Sequence, residues 1–159
     1  MDKTENCAIF PGSFDPFTSG HESVVRRALN LFDKIIIGIG DNNDKNSFLS
    51  LEKRCKIIKK VFENEDKIEV QVYSGLTVEF CKKNNCKFIL RGLRTSADFE
   101  FERAIGQTNK ILENQIETVF ILTLPEHTFI SSSIVRDIIK NNGDLSQFLP
   151  KGISKADLF

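Results

Sequence analysis

Short apolar runs at residues 7–10, 34–38, 68–72, 87–90 and 118–122 alternate along this chain with amphipathic stretches. Several are apolar on both faces, the pattern of central parallel strands. Between them, apolar residues recur at three- and four-residue spacing over 21–31, 51–62, 77–84, 97–112 and 132–141, which predicts helices. In the second of these, Leu51, Ile57, Ile58, Val61 and Phe62 mark the buried side, and Lys53, Lys56, Lys59 and Lys60 a solvated one. Strand–helix alternation of this kind closes through right-handed crossovers. The expected fold is a small doubly wound, Rossmann-like α/β domain: a five-stranded parallel sheet with helices on both faces. With no internal repeat, low-complexity tract or linker, residues 1–159 read as a single domain. Asn141-Asn142-Gly143-Asp144 reads as a helix stop, and from about residue 145 Leu145, Phe148 and Leu149 form a short apolar tail, expected to pack on the body or on a neighbour.

Composition removes several classes of function. The 22 Lys and Arg balance 22 Asp and Glu, and the pI is near 6.7, so no global field exists to hold nucleic acid. Apolar runs such as 35–39 and 119–122 fall far short of the roughly 20 residues needed to span a bilayer, so no membrane association is expected. The polar start, Met1 to Asn6, runs straight into a strand-like segment without the basic and apolar regions of a signal peptide, so the protein is expected in the cytoplasm. Cys7, Cys55, Cys81 and Cys86 have no metal-site spacing and read as reduced thiols, with Cys7 and Cys55 at apolar packing positions.

Open parallel sheets bind ligands at the carboxyl ends of their strands. The first such loop, Pro11-Gly12-Ser13-Phe14-Asp15-Pro16-Phe17-Thr18-Ser19-Gly20-His21, is neither GxGxxG nor GxxxxGK[ST]. It offers a glycine for close backbone approach, a hydroxyl at Ser13, and His21 in a helix first turn, where free N–H groups attract phosphate. Arg91 and Arg94, with Gly92-Leu93 between them, put two fixed positive charges at another strand end, followed by Glu102 on a helix; Glu102 reads equally as a surface carboxylate. The last loop carries His127, Thr128, Phe129, Ile130 and the run Ser131-Ser132-Ser133. One serine is explained as a helix cap; three hydroxyls at a helix start suggest a second anion-binding end, and His127 either stacks on a base or lies exposed. Lys45 is the cation of the second loop.

The set PGSFDP with TSGH, RGLR with DFEFE, and FISSS resembles bacterial phosphopantetheine adenylyltransferase, in register from about Ala8 to Gly152. The glycine-histidine element belongs to the wider nucleotidyltransferase superfamily, usually as HxGH; Thr18 stands here for its first histidine. The resemblance implies transfer of the adenylyl group of ATP to 4′-phosphopantetheine with Mg²⁺, giving dephospho-CoA and pyrophosphate, by a cytoplasmic homohexamer. It also implies residue roles: Ser13, Lys45, Thr77 and Arg91 bind phosphopantetheine; Ser13, Phe14, His21, Gly92, Leu93, Arg94, Glu102, His127, Thr128, Phe129, Ile130, Ser131, Ser132 and Ser133 bind ATP. His21, Lys45 and Arg91 would be catalytic, with His21 as transition-state stabiliser. The attacking phosphate is already a competent nucleophile, so positioning and charge neutralisation suffice. The alternatives are a cytidylyl- or adenylyltransferase for another phosphorylated acceptor, and a flavodoxin-like or regulatory nucleotide-binding module without catalysis.

Overall fold

The computed structural model describes residues 5–41 and 46–159. Five strands, β1 (Cys7–Gly12), β2 (Lys34–Gly40), β3 (Ile68–Tyr73), β4 (Phe88–Leu93) and β5 (Glu117–Leu122), form one parallel sheet in the order β3-β2-β1-β4-β5. The helices are α1 (Ser19–Ala28), α2 (Leu51–Val61), α3 (Thr77–Lys83), α4 (Ser96–Leu112), α5 (Ser132–Lys140) and a short α6 (Lys155–Leu158). This is the Rossmann-like α/β architecture that the alternation predicts. The strands β1 and β2, CAIFPG and KIIIGIG, are central and buried on both faces, whereas β5 leaves Glu117 and Leu122 exposed at the sheet edge.

Alternate side chains supply two cores, as the strand period of two requires. Ala8, Phe10, Ile35, Ile37, Ile39 and Leu90 meet α1, α2 and α5 through Val24, Val25, Ile57, Ile58 and Val135. On the opposite face Cys7, Ile9, Ile36 and Ile89 meet Val78, Phe80 and Cys81 of α3. The apolar tail packs on the body of its own chain: Leu145, Leu149, Ile153 and Leu158 all join the larger core. The second face is only partly covered. Of the 17 residues of α4, Glu102 alone is buried, while Phe101 is 68% and Ile111 86% exposed.

Two expectations are corrected. Cys7 and Cys86 are not separate thiols; they form a disulfide, because Cys7 opens β1 and Cys86 lies just before the neighbouring β4, and a separation of 79 residues gives no spacing signal. Cys55 and Cys81 are free, and burial pushes the Cys81 thiol up to about 12. Second, Arg91, Gly92 and Leu93 belong to β4 rather than to the loop after it, paired with Phe120, Ile121 and Leu122 of β5. Among the described residues, no helix is long and apolar enough to cross a membrane.

Candidate active site

The site begins with an interrupted ladder. β1 pairs with β2 over its full length, from Cys7↔Lys34 to Gly12↔Ile39, but with β4 only through Ala8↔Phe88 and Ile9↔Ile89. Here the chain's strand order reverses, β2 and β3 lying on one side of β1 and β4 and β5 on the other, and Pro11 has no N–H with which to continue pairing. The strands part into a crevice, which Arg91 spans by donating from Nη1 to Pro11 O at 2.7 Å.

Two cavities meet there. One, of about 300 Å³, is lined by Ser13, Phe14, His21, Gly92, Arg94 and Glu102 together with His127, Ile130, Ser131 and Ser132. The other, of about 330 Å³, is lined by Tyr73, Thr77, Ile105, Gly106 and Asn109. Pro11, Gly12, Ser13, Arg91 and Glu102 line both.

His21 is fixed by the start of α1. Thr18 caps the helix, accepting from His21 N at 3.3 Å, and His21 Nδ1 accepts in return from Thr18 N at 3.0 Å, with Thr18 Oγ1 at 3.1 Å. Because a backbone N–H can only donate, Nδ1 is unprotonated and the neutral ring carries its proton on Nε2. The ring is wedged edge-on to Phe14 at 5.2 Å, and Phe14, at φ 49°, occupies the space that a Cβ on Gly12 would need. Burial first, then the guanidiniums of Arg91 and Arg94, hold the imidazole at about 3 against its ordinary 6.5. A folded value below the unfolded one means that neutral His21 stabilises the fold fully above about pH 6.5 and that this contribution is lost as pH falls towards about 3. With 2 histidines in the chain, NMR can follow both. The His21 resonances are expected to show no inflection between about pH 5 and 8, and a midpoint near the ordinary value would contradict the assigned environment.

Arg91 and Arg94 are each held by a carboxylate of α4. Arg91 donates to Glu102 from Nε at 2.7 Å and from Nη2 at 2.5 Å. Arg94 donates to Asp98 Oδ2 from N and Nε, both at 3.1 Å, and to Oδ1 from Nη2 at 3.3 Å. Thr77 begins α3 at the second cavity, its hydroxyl 3.0 Å from that of Tyr73.

The structure thus brings together most of the residues singled out in the sequence, but not all. Leu93 is buried beside the site without lining it; Thr128 Oγ1 donates to Leu124 O at 3.4 Å; Phe129 is 55% exposed against Phe148. The three serines divide: Ser131 caps α5, Ser132 donates to Pro16 O at 2.8 Å, and Ser133 accepts from Arg136 at 3.1 Å outside the cavity. His127 lines the nucleotide-sized cavity with Nδ1 buried and without a partner. Lys45 lies outside the described residues.

A supporting frame went unread in the sequence. The Asp15 carboxylate accepts from Phe48 N and Leu49 N, both at 2.7 Å; Arg136 donates to Asp15 O at 2.7 Å; and Arg54, 5% exposed, donates to Ser13 O at 2.8 Å. A signal existed for Arg54: it stands three and four residues before Ile57 and Ile58, on the apolar stripe of α2, where a charge must find buried partners.

A parallel sheet that opens at its switch point, with a helix-start histidine and two anchored arginines around the opening, defines a nucleotidyltransferase. Residues 9–138 match the cytidylyltransferase-like family. The chain is 53% identical over 143 residues to the phosphopantetheine adenylyltransferase of Cytophaga hutchinsonii, covering 90% of this chain and 95% of that one. It is 47% identical over 146 residues to that of Bacteroides fragilis, covering 92% and 97%. Solved structures share the fold at low identity. A Vibrio parahaemolyticus protein provisionally described as a nicotinate-nucleotide adenylyltransferase superposes with a TM-score of 0.70 at 19% identity, over 98% of this chain and 99% of that one. A bifunctional NMN adenylyltransferase/ADP ribose pyrophosphatase from Francisella tularensis, complexed with AMP and manganese, gives 0.71 at 16% identity, over 94% of this chain and 45% of that one. The chain belongs to the phosphopantetheine adenylyltransferases, enzymes of coenzyme A biosynthesis.

Proposed function

We propose that the enzyme passes the adenylyl group of ATP directly to the phosphate of 4′-phosphopantetheine, releasing pyrophosphate and dephospho-CoA without a covalent enzyme intermediate. The observation that carries this reading is the pair of cavities sharing a wall at Ser13, Arg91 and Glu102, since direct transfer requires two ligands whose reacting phosphates meet. ATP fits the cavity of His21, Arg94 and the serine-rich start of α5, with its α-phosphate at the shared wall. The acceptor's arm fits the cavity of Thr77, Ile105 and Asn109, which offers hydroxyl, apolar and amide surface in turn. Its phosphate then lies by Ser13 and Arg91, with Lys45 assigned to the same group by the family pattern. A neutral His21 donates from Nε2–H to the charge that grows on the α-phosphoryl oxygens, and Arg91 and Arg94 neutralise the flanking phosphates.

We assign the metal to the substrate rather than to a site built from the described residues. Both carboxylates at the nucleotide cavity, Asp98 and Glu102, are committed to arginines, and the described residues contain no group of three His, Cys, Asp or Glu able to hold an ion. Mg²⁺ enters as part of the substrate, on the phosphates of ATP.

ATP, Mg²⁺ and 4′-phosphopantetheine are expected to give dephospho-CoA by mass, with one pyrophosphate per product. Faster adenylylation of glycerol 3-phosphate or nicotinamide mononucleotide under the same conditions would overturn the acceptor assignment.

The chain forms one nucleotidyltransferase domain, and the uncovered apolar side chains of α4 support its assembly as a cytoplasmic homohexamer. Light scattering should return six-fold the 18.1 kDa chain mass, and a monomer at micromolar concentration would remove the assembly.

A further inference from the structure

Arg54 is a buried charge that lines neither of the two cavities. It stands on the buried side of α2 with Ile57 and Ile58 and is 5% exposed. Among the described residues its side chain makes one hydrogen bond, from Nη1 to Ser13 O at 2.8 Å, and its Nε is buried without a partner. Withdrawing a guanidinium from water is costly unless its donors are satisfied, and an apolar side chain would fill the same stripe without that cost. Packing alone therefore does not account for a charge at this position; the carbonyl it holds does.

Ser13 O shares a planar peptide unit with Phe14 N, so anchoring that oxygen fixes the plane from which Phe14 φ turns. Phe14 sits at φ 49°, a region that a bulky side chain rarely enters and that persists only where the surroundings over-determine it. The surroundings here are Arg54 at Ser13 O and Arg136 at Asp15 O, one residue to either side, while the Asp15 carboxylate ties the same turn to Phe48 N and Leu49 N just ahead of α2. In that conformation the Phe14 ring is 3% exposed and stands edge-on to the His21 ring at 5.2 Å. We infer that Arg54 is a positioning residue for adenylyl transfer: through Ser13 O it holds Phe14 in the left-handed conformation, and the Phe14 ring in turn orients the imidazole of His21. The bonds with Thr18 locate Nδ1, and the wall of Phe14 sets the plane about it, so the direction of Nε2–H depends on both.

This inference rests on the adenylyl-transfer reading, and the test separates the two. Arg54→Met keeps an unbranched apolar stem in the core and removes the donor to Ser13 O. The expected result is a fall of about tenfold or more in kcat per folded enzyme, with the KM for ATP and for 4′-phosphopantetheine each within about threefold of wild type. In a His21→Ala background the same substitution should slow turnover by no more than about twofold further, because the group through which it acts is already gone. Arg54→Lys, whose ammonium ends one bond short of the lost Nη1, should recover part of the turnover, and it replaces Met in the cycle with His21→Ala if the Met variant folds poorly. A purely structural role would lower the melting temperature and the folded fraction and leave kcat per folded enzyme at the wild-type value, which overturns the inference. Multiplicative losses from the Arg54 and His21 substitutions also overturn it. If wild type forms no dephospho-CoA in this assay, the adenylyl-transfer reading fails; the positioning geometry is then decided by NMR, where the nuclear Overhauser contact between the Phe14 and His21 rings should be present in wild type and lost in Arg54→Met, and a contact of unchanged intensity overturns it.

Discussion

His21→Ala is expected to lower kcat by about 10² to 10³ while changing the KM of either substrate little, the loss usual for one donor aimed at charge that appears in the transition state. The expectation follows from the tautomer. With Nδ1 accepting from Thr18 N, the ring has one proton to offer, on Nε2, and burial beside Arg91 and Arg94 keeps the ring neutral at the pH of assay. Such a donor meets little charge in the ground state and more as the α-phosphoryl group transfers, so its removal falls on kcat. His21 also completes the cap of α1, and truncation there costs about 1 kcal/mol of stability. Circular dichroism melts and steady-state kinetics on one preparation separate the two contributions. A folded His21→Ala enzyme that retains most of its turnover removes the histidine from catalysis.

Arg91→Ala should be the most damaging single change, because it does two things at once. It removes the N–H groups proposed to face the acceptor's phosphate, and it leaves Glu102 in the fold without its Arg91 partner. An orphaned buried carboxylate costs about 3 to 5 kcal/mol, and the 27% exposure of the Arg91 side chain favours the lower end. For a chain of this length, about 3 kcal/mol corresponds to a fall in melting temperature of about 6 to 12 °C. The chemical loss is separable from the structural one. Removing the orphan as well, in Arg91→Ala/Glu102→Ala, should recover much of the melting temperature while the acceptor KM stays high. Recovery of both together would mean that Arg91 acts only through stability.

The comparison of sequence with structure follows the range of the interactions involved. The strands were legible because Ile35, Ile36 and Ile37 are buried by local sequence alone, and the helices because their apolar spacing is local too. Ser13, His21, Arg91 and Arg94 were legible as a charged and hydroxyl-bearing set at strand ends. What escaped was contact at a distance. Cys7 meets Cys86 only because β1 and β4 are neighbours, and Asp15 meets the amides of Phe48 and Leu49 only once the first and second loops converge. Glu102 was read from the family pattern as a nucleotide contact and alternatively as a surface carboxylate; its partner lies eleven residues earlier, on a different type of element, outside any helical or strand spacing. The run of three serines looked uniform in sequence, yet Ser131 is the extended N-cap of α5 while Ser132 and Ser133 are helix positions about 100° apart, so the three meet different partners.

The lone buried residue of α4 gives that helix an unusual reference point. Most amphipathic helices take their position from a stripe of apolar side chains, and small displacements are absorbed by many soft contacts. Here the buried group is an ion pair of 2.5 to 2.7 Å, so α4 is located against the cleft itself. Lifting the helix from the sheet would break those bonds and leave Arg91, on the wall shared by the two cavities, without its carboxylate partner.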